Sequence, residues 1–340
     1  MVWAFLYEHL AHSKTGMEKR YHWKLQNREL VLGGRTLIMG VLNVTPDSFS
    51  DGGSYSDPDR AFARALEMED EGADIVDIGA ESTRPGSQRV SEAEELRRLV
   101  PVLKRLRGKL NVPISVDTYK SGVAEKALEH GAEIINDPSG VLLDLQLPKV
   151  ITKYDAGLIV NHMRGTPETW AKLPPMKDLM RSIAIDLEAA LHRIRQARVE
   201  KHQLVIDPGL GFGKRREQNS EIIAQLGALK TFDLPIAIGP SRKSFLRKEQ
   251  PQDTEFATAG AVAACILHGA HIVRVHDVKN MKVVAEVVDV VRQSATVEEE
   301  ESAEARPERR QVSERPPQAG QRPPLRPREK PQGFWQRGQK

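Results

Sequence analysis

Short apolar runs recur along the middle of the chain, most of them closed by a polar residue or glycine. They are Thr36–Asn43, Asp74–Gly79, Ile114–Asp117, Glu133–Asn136, Leu158–Asn161, Leu204–Asp207, Ile236–Gly239 and Ile272–Val275. They are short, rich in Ile, Val and Leu, and nearly unbroken by polar residues, as in parallel strands covered on both faces. Between them, apolar positions fall at helical spacing over Pro58–Glu71, Ser91–Leu106, Ser121–His130, Met180–Arg198, Glu221–Leu229, Thr258–His268 and Val278–Arg292. Three joints from helix to strand share one signature, Glu71-Gly-Ala-Asp74, His130-Gly-Ala-Glu133 and His268-Gly-Ala-His271. Glycine there suits the residue after a helix, where positive φ is needed. Eight strand–helix units within residues 36–292 predict an α/β fold, the (β/α)8 TIM barrel, which typically takes about 250 residues. An open doubly wound sheet fits the alternation but not so naturally the eightfold count.

The two ends differ from this middle. Tyr21–Leu25 and Glu29–Leu32 flank the polar Gln26-Asn27-Arg28, predicting a short N-terminal β-hairpin. Past the acidic run Glu298–Glu301, residues 306–340 hold seven prolines and eight arginines with hardly an aliphatic residue. Such a segment buries too little apolar surface to offset its ordering entropy. The expected organisation is therefore an N-terminal extension over 1–20, a barrel over 21–295 and a disordered tail over 296–340. The net charge of +3 splits into +7 from Ala305 onward and −4 before it. The body is mildly acidic, which disfavours a nucleic-acid partner. The lone Cys265 excludes an intramolecular disulfide framework and any multi-cysteine metal site. No apolar run approaches the roughly 18 residues of a membrane span, and the apolar start stops at Glu8, too short for a signal-peptide core. A cytoplasmic protein with no membrane association is expected.

Function in such a barrel collects at the C-terminal strand ends. The polar residues there are Asn43, Asp117, Asn136, Asp207, Arg274 and His276. A single Asp after a strand is usually a turn or cap residue, but six polar endings around one mouth form a site. The loops Asn43–Gly53 and Gly79–Gly86 exceed what a connection requires, the mark of functional loops. Arg84 between turn formers suits an anion, since its planar fork pairs two phosphate oxygens. Asp207-Pro-Gly-Leu-Gly-Phe-Gly-Lys214 has neither the dinucleotide spacing nor a Walker ending. Arg84, Arg274 and His276 together suit a diphosphate, with Asn43 as an oxygen ligand to Mg2+. Asp117, Asn136 and Asp207, on the far side of that anion site, suit a flat heterocycle whose N–H groups need acceptors. Lys243 is open to two readings, a bond to a ring carbonyl or an ion pair with Asp207.

These strings together resemble dihydropteroate synthase. The likeness runs through Asn43-Val-Thr-Pro-Asp-Ser-Phe-Ser-Asp-Gly-Gly53, Glu81-Ser-Thr-Arg-Pro-Gly86, Val116-Asp-Thr118, Ile135-Asn-Asp137, Asp207-Pro-Gly209, Gly211-Phe-Gly-Lys214, Ser241-Arg-Lys243 and Arg274-Val-His-Asp277. It covers residues 36–292 in family order. The resemblance implies an enzyme that joins 4-aminobenzoate to (7,8-dihydropterin-6-yl)methyl diphosphate, releasing pyrophosphate. By motif position, Asn43 would bind Mg2+, and Asp117, Asn136, Asp207 and Lys243 would hold the pterin. Arg84, Arg274 and His276 would hold the leaving pyrophosphate, and Phe49, Thr83, Pro85, Phe212, Lys243 and Ser244 would shape the aminobenzoate site. Asp117, Lys243, Arg274 and His276 are the expected catalytic set. The family is typically homodimeric and is the sulfonamide target. This chain departs from it at Pro138, Pro240 and Asn161, the last standing where a Met-His-Met-like string is commoner, on one wall near the pterin. The rival readings are an inactive pterin-binding paralogue and a methyltetrahydrofolate–corrinoid methyltransferase-like domain. The retained Asn43, Arg274 and His276 argue against the first, and the diphosphate-type loops against the second.

Overall fold

The computed structural model describes residues 19–45, 58–82 and 86–304, with side chains described to residue 294. Eight strands form one parallel sheet: β3 (Leu37–Asn43), β4 (Ile75–Gly79), β5 (Ile114–Asp117), β6 (Ile134–Asp137), β7 (Gly157–Asn161), β8 (Leu204–Asp207), β9 (Ala237–Ile238) and β10 (Ile272–Val275). Their order is β8-β7-β6-β5-β4-β3-β10-β9, and a bridge between Ile206 and Ile236 joins the two edges into a ring. One helix follows each strand in turn: α1 (Pro58–Asp70), α2 (Glu92–Leu106), α3 (Ser121–Glu129), α4 (Leu147–Tyr154), α5 (Leu179–Gln196), α6 (Arg216–Ala224), α7 (Pro251–Leu267) and α8 (Val278–Glu304). This is the predicted (β/α)8 barrel. The three shared joints turn as expected, with Gly72, Gly131 and Gly269 at φ of +97°, +100° and +103°. No described helix is long and apolar enough to cross a membrane.

Four elements differ from the sequence reading. Helix α6 spans Arg216–Ala224 where Glu221–Leu229 was expected, and α7 begins at Pro251, ahead of the expected Thr258. Helix α4 was not expected, because its eight residues are too few to display a helical period. Helix α8 does not stop near Arg292 but continues to Glu304, past the boundary expected at 295. The Val-Glu-Glu-Glu-Glu-Ser-Ala-Glu stretch is poor in aliphatics and so read as tail, yet Glu and Ala are strong helix formers that extend a helix already begun. Residues 1–18 of the expected extension and 305–340 of the expected tail lie outside the described residues.

Strand residues alternate between two apolar clusters. Outward residues such as Ile38, Val76, Val116, Ile135, Leu158, Ile206 and Val273 pack under the helices. Inward residues Leu37, Met39, Ile75, Ile134, Ile159, Val205, Ala237 and Ile272 form a second cluster with Trp23, Leu25 and Leu32. The latter three belong to the antiparallel hairpin β1 (Tyr21–Lys24) and β2 (Glu29–Leu32) and to the residue following β1. The hairpin thus plugs the N-terminal end of the barrel, and Trp23 Nε1 donates to the Gln203 carbonyl at 2.8 Å. With that end sealed by hydrocarbon, the interior is open to polar residues only at its C-terminal end.

Candidate active site

A strand has a period of two, so two residues beyond each inward apolar side chain the next inward position faces the mouth. Following Ile75, Ile134, Ile159, Val205, Ala237 and Ile272, these positions hold Asp77, Asn136, Asn161, Asp207, Gly239 and Arg274. Arg274 sits at the centre. Its Nε donates to Asp77 Oδ2 at 2.6 Å and its Nη2 to Asp117 Oδ2 at 2.8 Å, while Asn136 Nδ2 donates to Asp77 Oδ2 at 3.2 Å. The arginine of the expected anion site is therefore bonded directly to one of the expected ring acceptors, Asp117, not separated from it across the mouth. Asp77, with 0% of its surface exposed, was missed in the sequence because it lies inside an apolar run. Its signal is parity, since it falls two residues after Ile75 and two before Gly79. A Cβ built on Gly79 would lie 3.4 Å from Asn43 Oδ1 and 3.8 Å from Asp117 Oδ2, so Asn43 and Asp117 converge above this glycine.

The opposite wall is built by the turn after β8. The Gly209 N–H donates to Asp207 Oδ1 at 2.7 Å. Lys214 Nζ is buried and donates to the carbonyls of His162, Pro208 and Gly209 at 2.8, 2.8 and 2.7 Å, which ties the turn to the end of β7. Gly209 is required here, for φ is +72° and a Cβ would stand 2.0 Å from the His162 carbonyl. Lys243 does not take the ion-pair course left open by its sequence. It makes no ion pair with Asp207, and its Nζ stands 4.2 Å from the centre of the Phe212 ring. Phe212 meets Trp170 edge-on at 5.3 Å and packs with Met163, which gives Trp170 a place at the site. Ser244 is exposed on the short turn that follows Lys243. His276 Nδ1 and Ser241 Oγ are 2.9 Å apart, and the His276 N–H donates to the same hydroxyl at 3.2 Å. Phe49, Thr83, Arg84 and Pro85 lie outside the described residues.

Burial sets the charges of this floor against their ordinary values. It raises the Asp117 carboxyl, which the Arg274 guanidinium lowers and the Asp77 charge raises further. Burial likewise pushes Asp207 up to about 6 against the pull of the Gly209 N–H and Lys243. It brings Lys243 down to about 8, aided by Arg274 and opposed by Asp207 and Asp117. Carboxylates and an amine displaced toward neutrality in one cleft mark a functional site.

Residues 39–276 match the family of pterin binding enzymes. The dihydropteroate synthase of Synechocystis sp. is 41% identical over 263 residues, covering 76% of this chain and 91% of its own. The chain belongs to the dihydropteroate synthase family. It is a transferase of folate biosynthesis. Two solved synthases carry the likeness into three dimensions. One, from Clostridium difficile and crystallised in the presence of pteroic acid, is 43% identical with a TM-score of 0.71, over 76% of this chain and 98% of its own. The other, from Xanthomonas albilineans with 4-aminobenzoic acid, is 34% identical with a TM-score of 0.74, over 80% and 98%. The synthase likeness spans the barrel, including the strands that carry Asp77 and Arg274.

Proposed function

We propose that this dihydropteroate synthase joins 4-aminobenzoate to (7,8-dihydropterin-6-yl)methyl diphosphate at the barrel mouth, forming 7,8-dihydropteroate and pyrophosphate. The observation that carries the reading is Arg274, held between Asp77 and Asp117 with Asp207 and Asn136 on the same floor. Asp117, Asn136, Asp207 and Lys243 hold the pterin ring, and Arg274 and His276, with Arg84, hold the diphosphate. The carbon–oxygen bond to the diphosphate breaks with both electrons going to oxygen, and the electron-rich ring delocalises the positive charge. Arg274 and His276 stabilise the charge growing on that oxygen, while ionised Asp117 favours the cationic ring. The aromatic amine then forms the carbon–nitrogen bond and loses its proton to the released pyrophosphate. An aniline-like nitrogen is unprotonated at neutral pH, so no dedicated base is required. Phe49, Thr83, Pro85, Phe212, Lys243 and Ser244 form the aminobenzoate site, where exclusion of water protects the cation.

Mg2+ fits this floor as an ion that arrives with the substrate. Among the described residues no group of three or more His, Cys, Asp or Glu side chains is gathered to hold a metal. Asn43 instead offers one neutral oxygen beside Asp117, in keeping with an ion that uses few protein ligands and fills its shell with water and phosphate. Bound there by Asn43, it would neutralise charge on the diphosphate. We assign the chain to a homodimer, supported by the exposed apolar side chains Val283, Val287, Val290 and Val291 on α8 and Phe256 and Leu267 on α7. The cytoplasm is the proposed location, in keeping with the free, buried Cys265.

The test is pyrophosphate release by the purified protein with Mg2+ and the pterin diphosphate, with and without 4-aminobenzoate, beside Asp117→Asn. Aminobenzoate-dependent release that collapses in the variant supports the reading. Pterin binding without turnover would transfer the chain to the inactive paralogues.

A further inference from the structure

Asn161 ends β7 and is paired across the sheet with Asp207. It occupies the inward position two residues after Ile159, as Asn136 does after Ile134 and Asp207 after Val205. The residue is only 5% exposed, yet its side chain is not satisfied by the protein. Its Oδ1 is buried and has no hydrogen-bond partner, although it lies 2.5 Å from where a Gly209 Cβ would stand. Both donors nearby are occupied, the Gly209 N–H by Asp207 and Lys214 Nζ by three carbonyls. The Nδ2 end makes no hydrogen bond among the described residues and is not among the buried unpartnered atoms, so it is the accessible end of the amide. A buried amide left half unpaired costs stability, and an apolar side chain of similar shape would remove that cost. Departures of this kind from local consistency are expected where a ligand completes the site.

The donor inventory of the wall says which ligand atom is missing. Asp117 and Asp207, when ionised, only accept hydrogen bonds. Asn136 donates one N–H to Asp77, which leaves its Oδ1 as an acceptor and a second N–H. Among the described residues on the Asp207 side, the Lys243 ammonium and Asn161 Nδ2 are donors. A pterin ring carries acceptors as well as N–H groups, in its carbonyl oxygen and its unprotonated ring nitrogens.

We infer that Asn161 is a further pterin-contacting residue, whose Nδ2 donates to an acceptor atom of the bound ring and helps to select for rings that carry one there. This rests on the reading of the mouth as a pterin site. It also gives a physical meaning to an amide where the family more often has methionine. The trade is a less stable free protein for a ring contact that methionine cannot make.

The experiment measures three quantities in the full-length wild type, Asn161→Met and Asn161→Ala. These are calorimetric Kd for the pterin diphosphate with Mg2+, KM for 4-aminobenzoate, and Tm of the unliganded protein. Loss of a neutral hydrogen bond predicts pterin binding weaker by about tenfold in both variants, with the aminobenzoate KM within about twofold. Tm of Asn161→Met should equal or exceed that of the wild type, because the buried unpaired oxygen is gone. Wild-type affinity in Asn161→Met would overturn the inference. So would a Tm that falls in both variants together with affinity, which would make Asn161 a packing residue. A wild-type protein that binds no pterin would overturn the underlying site reading along with it.

Discussion

Substituting Asp77→Asn probes the residue that motif reading missed. The carboxylate accepts from Arg274 Nε at 2.6 Å and from Asn136 Nδ2 at 3.2 Å, and its other oxygen has no partner. Asparagine keeps the shape and one acceptor but removes the charge. Its new N–H2 would replace an oxygen that already lacks a partner, so no existing hydrogen bond is lost at that atom. The fold should therefore tolerate the change. What is lost is a charge-assisted hydrogen bond to Arg274, worth about 1.5–3 kcal/mol. Arg274 keeps Asp117 at 2.8 Å, so it stays in the floor but without a fixed orientation. If that whole loss appears in the transition state, kcat/KM for the pterin diphosphate falls by about 10- to 100-fold. The deciding assay is a double-mutant cycle with Arg274→Ala, with unfolding followed in parallel. If Asp77 acts by orienting Arg274, Asp77→Asn costs little once Arg274 is gone, and the coupling approaches the whole single-mutant effect. Additive losses, or a single mutant within about twofold of wild type, would refute the orienting role.

Three more outcomes are expected. Asp207 at about 6 and Lys243 at about 8 predict a bell-shaped kcat/KM for the pterin diphosphate. Activity rises as Asp207 ionises through pH 6 and declines as Lys243 loses its proton through pH 8; a flat profile between about pH 5 and 9 would separate both groups from ring binding. Gly209→Ala should lose more than the about 1–3 kcal/mol typical of local backbone strain, since the added carbon would sit 2.0 Å from the His162 carbonyl; urea unfolding and pterin affinity should both register it. Trp23→Ala removes the hairpin's main contribution to the barrel plug and should cost about 3–5 kcal/mol by urea unfolding, with little change in KM for either substrate.

The barrel was legible in the sequence because each strand is buried on both faces, which writes it as an unbroken apolar run, and each helix writes its own period. The Gly-Ala joints were legible because positive φ is a local demand of the chain. For the same reason α4 escaped notice, being too short to show a period, and the end of α8 was misjudged, since helix propensity without an apolar face looks like a solvated tail. Asn43, Asp117, Asn136, Asp207 and His276 stood out because each closes or follows an apolar run, and Arg274 because it lies one residue from the end of its run, beside His276. Asp77 did not, because a charged residue within such a run is assigned to the mouth only when inward parity is known. Parity in turn depends on strand register, which neighbours residues distant in sequence. Asp77 and Arg274 are 197 positions apart yet 2.6 Å from each other. The types of groups at this mouth are thus properties of the chain read along its length. Which of them share a hydrogen bond, which carboxylate is raised by burial, and which amide is left unpaired for a ligand are set only when the ring closes, because those are properties of distance and desolvation.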